Sequence, residues 1–300
     1  MVSHERLELL SNKDCWDKAR IPRQDRLILL SMPQASTRTA ALLSGQVNFV
    51  QAPTPDAIPR LKSAGMRIVT APYPHNWGYQ LNFINSPFTD VRVRKAANYA
   101  LNRADVVELL GGIALEGPAN LPPGTSYYGH PVRDKFDLAK AKALLKEANC
   151  LPCKITFAIS TSGSGQMQPL PMNELIKSQL EETGFQVTLQ VMDWNALLQI
   201  ARAGAQTTPG IDGVNVSRSL QDPIASMTRF TDKAQWSPAG ANWGHYGSDD
   251  TQALITAAFG EFDPVKRESI PVKLHERMVD DAVTLWVVHN INSSALSPKI

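Results

Sequence analysis

The stretch from Leu81 to Arg103, LNFINSPFTDVRVRKAANYALNR, constrains the fold of this chain more than any other. Alternation predicts Leu81, Phe83 and Asn85 on one face of an extended segment, with Asn82 and Ile84 on the other. Ser86-Pro87 ends that strand, because the proline ring lacks an amide donor and biases its predecessor toward extended geometry. Asp90 is a good helix N-cap, and a carboxylate there suits the positive end of the helix dipole. Val93, Ala96, Ala97, Ala100 and Leu101 then form one apolar stripe at helical spacing. The segment is a strand-to-helix corner, and by itself it names no function.

The flanking sequence repeats this alternation of elements. Arg6 to Leu10 and Arg26 to Leu30 read as strands. Thr37 to Leu43 reads as a helix capped near Gly45, Val47 to Val50 as a strand, Asp56 to Ala64 as a helix closed by Gly65, and Met66 to Thr70 as a strand. This order is α/β in character. Farther on, DLAKAKALLKEANC from Asp137 is an amphipathic helix with Leu138, Ala141, Leu144, Leu145 and Ala148 on one face, and Asn149 can take its left-handed cap. Lys154 to Ile159 and Phe185 to Val191 read as strands, and Asn173 to Glu182 and Trp194 to Arg202 as helices. Two more helices are expected at Thr251 to Phe259 and Pro264 to Asp281.

Composition removes several classes of function. Thirty basic and 28 acidic residues leave a net charge of +2, and the basic residues are dispersed. Neither a nucleic-acid stripe nor a polybasic membrane patch is expected. No apolar run approaches the roughly 20 residues needed to span a bilayer, and no apolar segment of the secretory type follows Met1 to Arg6. Three cysteines are too few for a disulfide scaffold. Cys150-Leu151-Pro152-Cys153 has redox spacing, but no second pair completes a zinc site. A helix-to-strand connection, open to disulfide formation in an oxidising compartment, is the favoured reading.

Catalytic look-alikes fail on detail. His275-Glu276 begins like a zincin, but Val279 stands where the second histidine belongs. Ser162-Gly163-Ser164-Gly165 lacks the first glycine of a nucleophile elbow and the Lys-Ser/Thr of a phosphate loop. Asp249-Asp250 and Asp280-Asp281 read as caps or solvated charges. His130 and His245 are the bases a serine hydrolase built on the Ser160–Ser164 loop would need, and that enzyme is the alternative function. A binding protein needs instead aromatic walls and fixed polar groups. Trp77, Tyr79, Ser160, Ser162, Ser164, Asn215, Ser217, Arg218, Ser219, Trp243 and Tyr246 are the candidate ligand contacts. Neither a metal nor a cofactor is expected.

Taken in order, these segments resemble the extracellular solute-binding proteins of family 5, the peptide, opine and nickel group that serves ABC importers. Asn82, Pro87, Phe88, Asp90, Arg92, Val93, Arg94, Ala100, Leu101, Asn102 and Arg103 match the family's pattern at the corner. Asn12 to Trp16 resembles its NPDYW element, Ala40 to Phe49 its aaLlsGevDi element, Asp137 to Ala148 its yDpekAkaLLkeAGy element, and Gln221-Asp222-Pro223 its DP turn. The resemblance implies an α/β, periplasmic-binding-protein-like type II two-lobe fold with lobe I incomplete and the chain truncated at both ends. It places a lobe I remnant at 1–74, lobe II at 75–285 and a return segment at 286–300. It further implies a monomer outside the cell or in the periplasm, binding a small-molecule or peptide-like solute and docking on ABC permease subunits. A receptor or chaperone role on the same fold is not separable from transport by sequence. Peptide-binding members carry an aspartate for the peptide ammonium where this chain has Ser219, and an arginine for the carboxylate near 161–166, where this chain has none. A serine cannot replace that charge, so the usual dipeptide anchors are missing. Arg218, beside the lost acid, suits an anionic or acceptor group, or equally is a surface arginine.

Overall fold

The computed structural model describes residues 6–132, 135–219 and 221–300, apart from the side chains of residues 72–74 and 264. Residues 1–5, where no secretory leader is expected, lie outside that description. The chain separates into two compact units, Met1–Val69 with Ser294–Ile300, and Thr70–Ser293.

In the first unit, β1 (Arg6–Leu10) and β2 (Arg26–Leu30) form an antiparallel ribbon with Arg6 opposite Leu30. Both strands fall where their apolar runs predict. Helix α1 (Ala35–Leu43), strand β3 (Phe49–Gln51) and helix α2 (Ala57–Ser63) follow. Gly45 and Gly65 take positive φ after the two helices, the cap geometry that glycine permits. Leu42, Val50, Ala57, Leu61 and Ala295 make this unit's core.

Strand β4 (Arg67–Leu81) runs from the first unit into the second. It is far longer than the Met66–Thr70 strand expected, and it stops at Leu81. The predicted extension through Asn85 is wrong, because the Asn82 side chain accepts from Ile84 N at 2.9 Å and closes a local turn. Helix α3 (Val91–Ala100) begins where Asp90 accepts from Arg92 N at 2.8 Å. Helix α4 (Arg103–Leu109), strand β5 (Ala114–Glu116) and helix α5 (Leu138–Glu147) come next. Asn149 caps α5 at φ 54°. Cys150 and Cys153 are disulfide-bonded in the connection to β6 (Cys153–Ser160). Then follow α6 (Pro169–Glu181), β7 (Phe185–Met192), α7 (Trp194–Ala203) and β8 (Gly213–Ser219). Asp222 caps α8 (Pro223–Thr231), with Pro223 at the first helical turn, where a missing amide costs nothing. Helices α9 (Asp249–Gly260) and α10 (Pro264–Asp280) lead to β9 (Thr284–Leu296).

The second unit's strands lie in the order β9–β4–β8–β6–β7, with β5 also pairing β9. Strands β6, β7 and β8 are mutually parallel where they pair, and β4 runs antiparallel to β8, setting Trp77 opposite Ser217 and Tyr79 opposite Asn215. Alternation gives β4 two different faces. Trp77, Tyr79 and Leu81 enter a core with Phe88, Phe157 and the apolar sides of α3, α5 and α6. On the other side, Phe230, Tyr246, Leu274, Met278 and Trp286 form a second core with α8, α9 and α10.

Candidate functional site

The loop between β6 and α6 is held on the β4–β8 pair by a buried polar network. Trp77 Nε1 donates to Gln166 Oε1 at 2.7 Å, and Gln166 Nε2 donates to Asn215 O at 3.4 Å. Tyr79 OH donates to Asn173 Oδ1. Asn173 Nδ2 donates in turn to Asn215 Oδ1 at 3.2 Å and to Pro169 O at 2.7 Å. Asn215 Nδ2 donates to Gly78 O at 3.0 Å. Burial pushes the Tyr79 hydroxyl well above its ordinary pKa, so it stays a donor. Trp77 and Tyr79 are fully buried and meet edge to face at 5.7 Å.

Two glycines let the loop lie close. A Cβ on Gly163 would stand 2.4 Å from the Trp194 ring, and one on Gly165 would stand 2.6 Å from Ser217 Oγ and 2.8 Å from His75 Nδ1. Ser217 Oγ and His75 Nδ1 are themselves 2.9 Å apart. Burial holds His75 below its ordinary pKa, so its ring is neutral at pH 7. Ser219 lies opposite His75 in the ladder. Ser162, Ser164, Ser217 and Ser219 are exposed or half-buried, whereas Ser160 and Asn215 are fully buried. The carboxyl ends of parallel β6 and β8 thus carry a rim of hydroxyls and one imidazole.

The remaining candidates lie elsewhere. Arg218 projects from the opposite face of β8 from Ser217 and Ser219, its guanidinium 6.0 Å from the centre of the Phe230 ring. Trp243 is fully buried, and its backbone N–H donates to Gln80 Oε1 at 3.0 Å. A Cβ on neighbouring Gly244 would fall 1.8 Å from Leu81 O, so only glycine fits there. Tyr246 OH donates to Asp281 Oδ2 at 2.5 Å, and that carboxylate also accepts from Arg277 Nε at 2.9 Å. Burial raises the Tyr246 pKa, with the Asp281 contact adding to it.

The catalytic look-alikes are structural. His275 Nε2 accepts from Leu121 N at 3.1 Å, and Nδ1 is 2.8 Å from the Tyr128 carbonyl. His245 Nε2 is bound to the Ser237 carbonyl at 2.8 Å and its ring stacks on Trp236. Neither His130 nor His245 hydrogen-bonds a serine of the 160–164 loop among the described residues. Those residues also contain no cluster of three or more His, Cys, Asp or Glu side chains able to hold a metal, and no helix long and apolar enough to cross a membrane. Gln166, Asn173 and His75 organise the rim, and neither amide is among the residues the sequence singles out as ligand contacts. The only trace of them in the sequence is a glutamine and an asparagine flanking the Gly/Ser loop, a composition that any turn could share.

The description of bacterial extracellular solute-binding proteins, family 5 (middle), matches residues 1–238. The chain belongs to that family. It is 24% identical over 301 residues to heme-binding protein A of Haemophilus influenzae, covering 98% of this chain and 53% of that protein. It is 27% identical over 278 residues to the dipeptide-binding protein of Escherichia coli, covering 90% of this chain and 50% of that protein. Among solved structures, the periplasmic binding protein DppA of Helicobacter pylori, in complex with the peptide STSA, superposes with a TM-score of 0.86 at 23% identity. That match covers 98% of this chain and 56% of the other. The chain therefore spans about half the length of the relatives it matches. The fold is the α/β fold of periplasmic binding proteins, as the family resemblance implies.

Proposed function

We propose that this chain is part of the solute-binding component of an ABC importer and does no covalent chemistry. The unit Thr70–Ser293 corresponds to lobe II and the other unit to part of lobe I. On this reading the lobe limits move from 74/75 and 285/286 to 69/70 and 293/294, where the compact units separate. The complete protein works outside the cytoplasmic membrane, as a monomer, and delivers its solute to permease subunits.

The observation that carries this reading is the hydroxyl rim at the carboxyl ends of β6 and β8. Ligands of open α/β sheets bind outside the carboxyl ends of parallel strands. Here those ends offer Ser162, Ser164, Ser217, Ser219 and His75 but, among the described residues of that face, no acid or arginine. Such a rim recognises a peptide-like or other small polar solute through neutral hydrogen bonds, without the charge-assisted anchors that hold a free dipeptide. Titration calorimetry on a protein that includes this chain and spans the full length of its relatives tests this. N-acetylated peptides are expected to bind as well as free ones; binding that requires the free ammonium overturns the reading. Turnover of ester or amide substrates, abolished by Ser164→Ala, would favour a hydrolase instead.

A further inference from the structure

The β4–β8 pair has a second face, and buried polar atoms gather on it without partners. A cavity of about 10 Å³ is lined there by residues that include Gln80, Asn120, Arg218, Phe230, Thr284 and Trp286. Gln80 Nε2, Asn120 Oδ1, Arg218 Nε, Thr284 Oγ1 and Trp286 Nε1 are enclosed, and none has a hydrogen-bond partner among the described residues. The orientation of each amide follows from its other end. Gln80 Oε1 is occupied by Trp243 N–H at 3.0 Å, which leaves Nε2 as the orphan. Asn120 Nδ2 donates at 3.1 Å to Ser226 Oγ, whose own proton is used on Pro223 O at 2.8 Å. Asn120 Oδ1 is therefore the orphan acceptor.

This set is unbalanced in one direction. Three N–H groups and a rotatable hydroxyl can donate, against one fixed acceptor. One of the donors is cationic. Desolvation, helped by the like charge of Arg229, lowers the Arg218 pKa to about 10, so the guanidinium remains charged at neutral pH. The Arg218 side chain is half-buried with its Nε enclosed, and no acidic side chain pairs with it among the described residues; a partly desolvated charge without a counterion is costly. A single water satisfies about two donors and neutralises nothing, whereas a monatomic anion accepts from all four. The volume suits one guest of about that size.

We propose that this cavity is a halide site, with chloride as its ordinary occupant, held by Arg218, Gln80, Trp286 and Thr284. It lies on the face of β8 opposite the hydroxyl rim and needs no transported solute, so its fate is separate from that of the solute-binding reading. Two measurements on the full chain test it together. Crystals grown in sodium bromide are expected to show an anomalous peak within hydrogen-bond reach of Arg218 Nε and Trp286 Nε1. Thermal unfolding is expected to shift upward with chloride or bromide relative to sulfate at matched ionic strength, because a ligand of the folded state alone stabilises it. Gln80→Glu supplies an internal counterion while keeping the acceptor for Trp243 N–H. That variant is expected to fold, to lose the halide-dependent shift and to lose the anomalous peak. Trp286→Phe, which removes one donor, is expected to weaken the shift. Water density without anomalous signal, a halide dependence equal to that of sulfate, or bromide present with no effect on unfolding would each overturn the proposal.

Discussion

The two faces of the β4–β8 pair are made from neighbouring residues of the same two strands, yet their polar groups end differently. On one face Trp77, Tyr79, Asn215, Gln166 and Asn173 form a closed chain of hydrogen bonds. On the other, Gln80, Arg218, Thr284 and Trp286 keep unused donors. A satisfied buried network fixes the loop that carries the hydroxyl rim and is expensive to interrupt. An unsatisfied set is the signature of a guest or of an energetic cost. The contrast shows that burial of polar side chains does not by itself separate structure from site; what separates them is whether their partners are other parts of the chain.

The largest test of this contrast is Asn215→Leu. It would take one hydrogen bond from Gly78 O and one from Asn173 Nδ2, whose other N–H stays on Pro169 O. At about 1–3 kcal/mol for each buried polar group left short of a bond, the loss should be about 4 kcal/mol, read from the midpoint of urea unfolding at unchanged slope. A loss below about 1 kcal/mol would mean that the network does not hold this face together.

The helical side opposite the network should respond to acid. Burial, helped by His275, lowers the His289 pKa to about 4, and burial lowers His275 as well. The unfolded chain, with a histidine pKa near 6.5, then binds more protons than the folded one between these values. Stability is fully present above about pH 6.5 and declines as the pH falls toward 4, by about 3 kcal/mol for a shift of this size at His289. Urea midpoints measured across that range check the sign, and His289→Leu should flatten the slope. An unchanged slope in that variant would remove His289 as its source.

Much of the frame was legible in the sequence and much of the site was not, for one physical reason. Local rules fix the strands Arg6–Leu10 and Arg26–Leu30, the Asp90 cap and the Asn149 cap, because each depends on residues a few positions apart. The same rules mistook 82–85 for strand, since an asparagine that turns the chain and one that extends it look alike until its acceptor is placed. The polar network joins residues 77, 166, 173 and 215, and the cavity joins 80, 120, 218, 284 and 286. Such sets exist only after the sheet order is known. Trp77 and Trp286 are thus indistinguishable as sequence letters, one with its indole N–H bonded to Gln166 and the other with no partner for its indole N–H among the described residues.

That pair gives the next test. Trp77→Phe and Trp286→Phe remove the same atoms from two fully or nearly fully buried sites, so their packing losses are comparable. Only Trp77→Phe also breaks a hydrogen bond and orphans Gln166 Oε1. In halide-free sulfate buffer it should cost about 2 kcal/mol more than Trp286→Phe. Equal losses would erase the distinction between the faces.

The smallest expected effect is also the most discriminating. Tyr79→Phe removes a hydroxyl that is bonded to Asn173 and leaves that acceptor empty, for a cost of about 1–2 kcal/mol. Thr284→Val replaces an enclosed hydroxyl that has no partner with a methyl of the same shape. Removing an orphaned polar atom without disturbing packing is neutral or stabilising, so in halide-free buffer the change should lie within about 0.5 kcal/mol of zero or above it. In chloride the same substitution should become destabilising, because one of the four donors to the anion is lost. A Thr284→Val variant that costs as much as Tyr79→Phe in halide-free buffer would mean that the second face is satisfied after all.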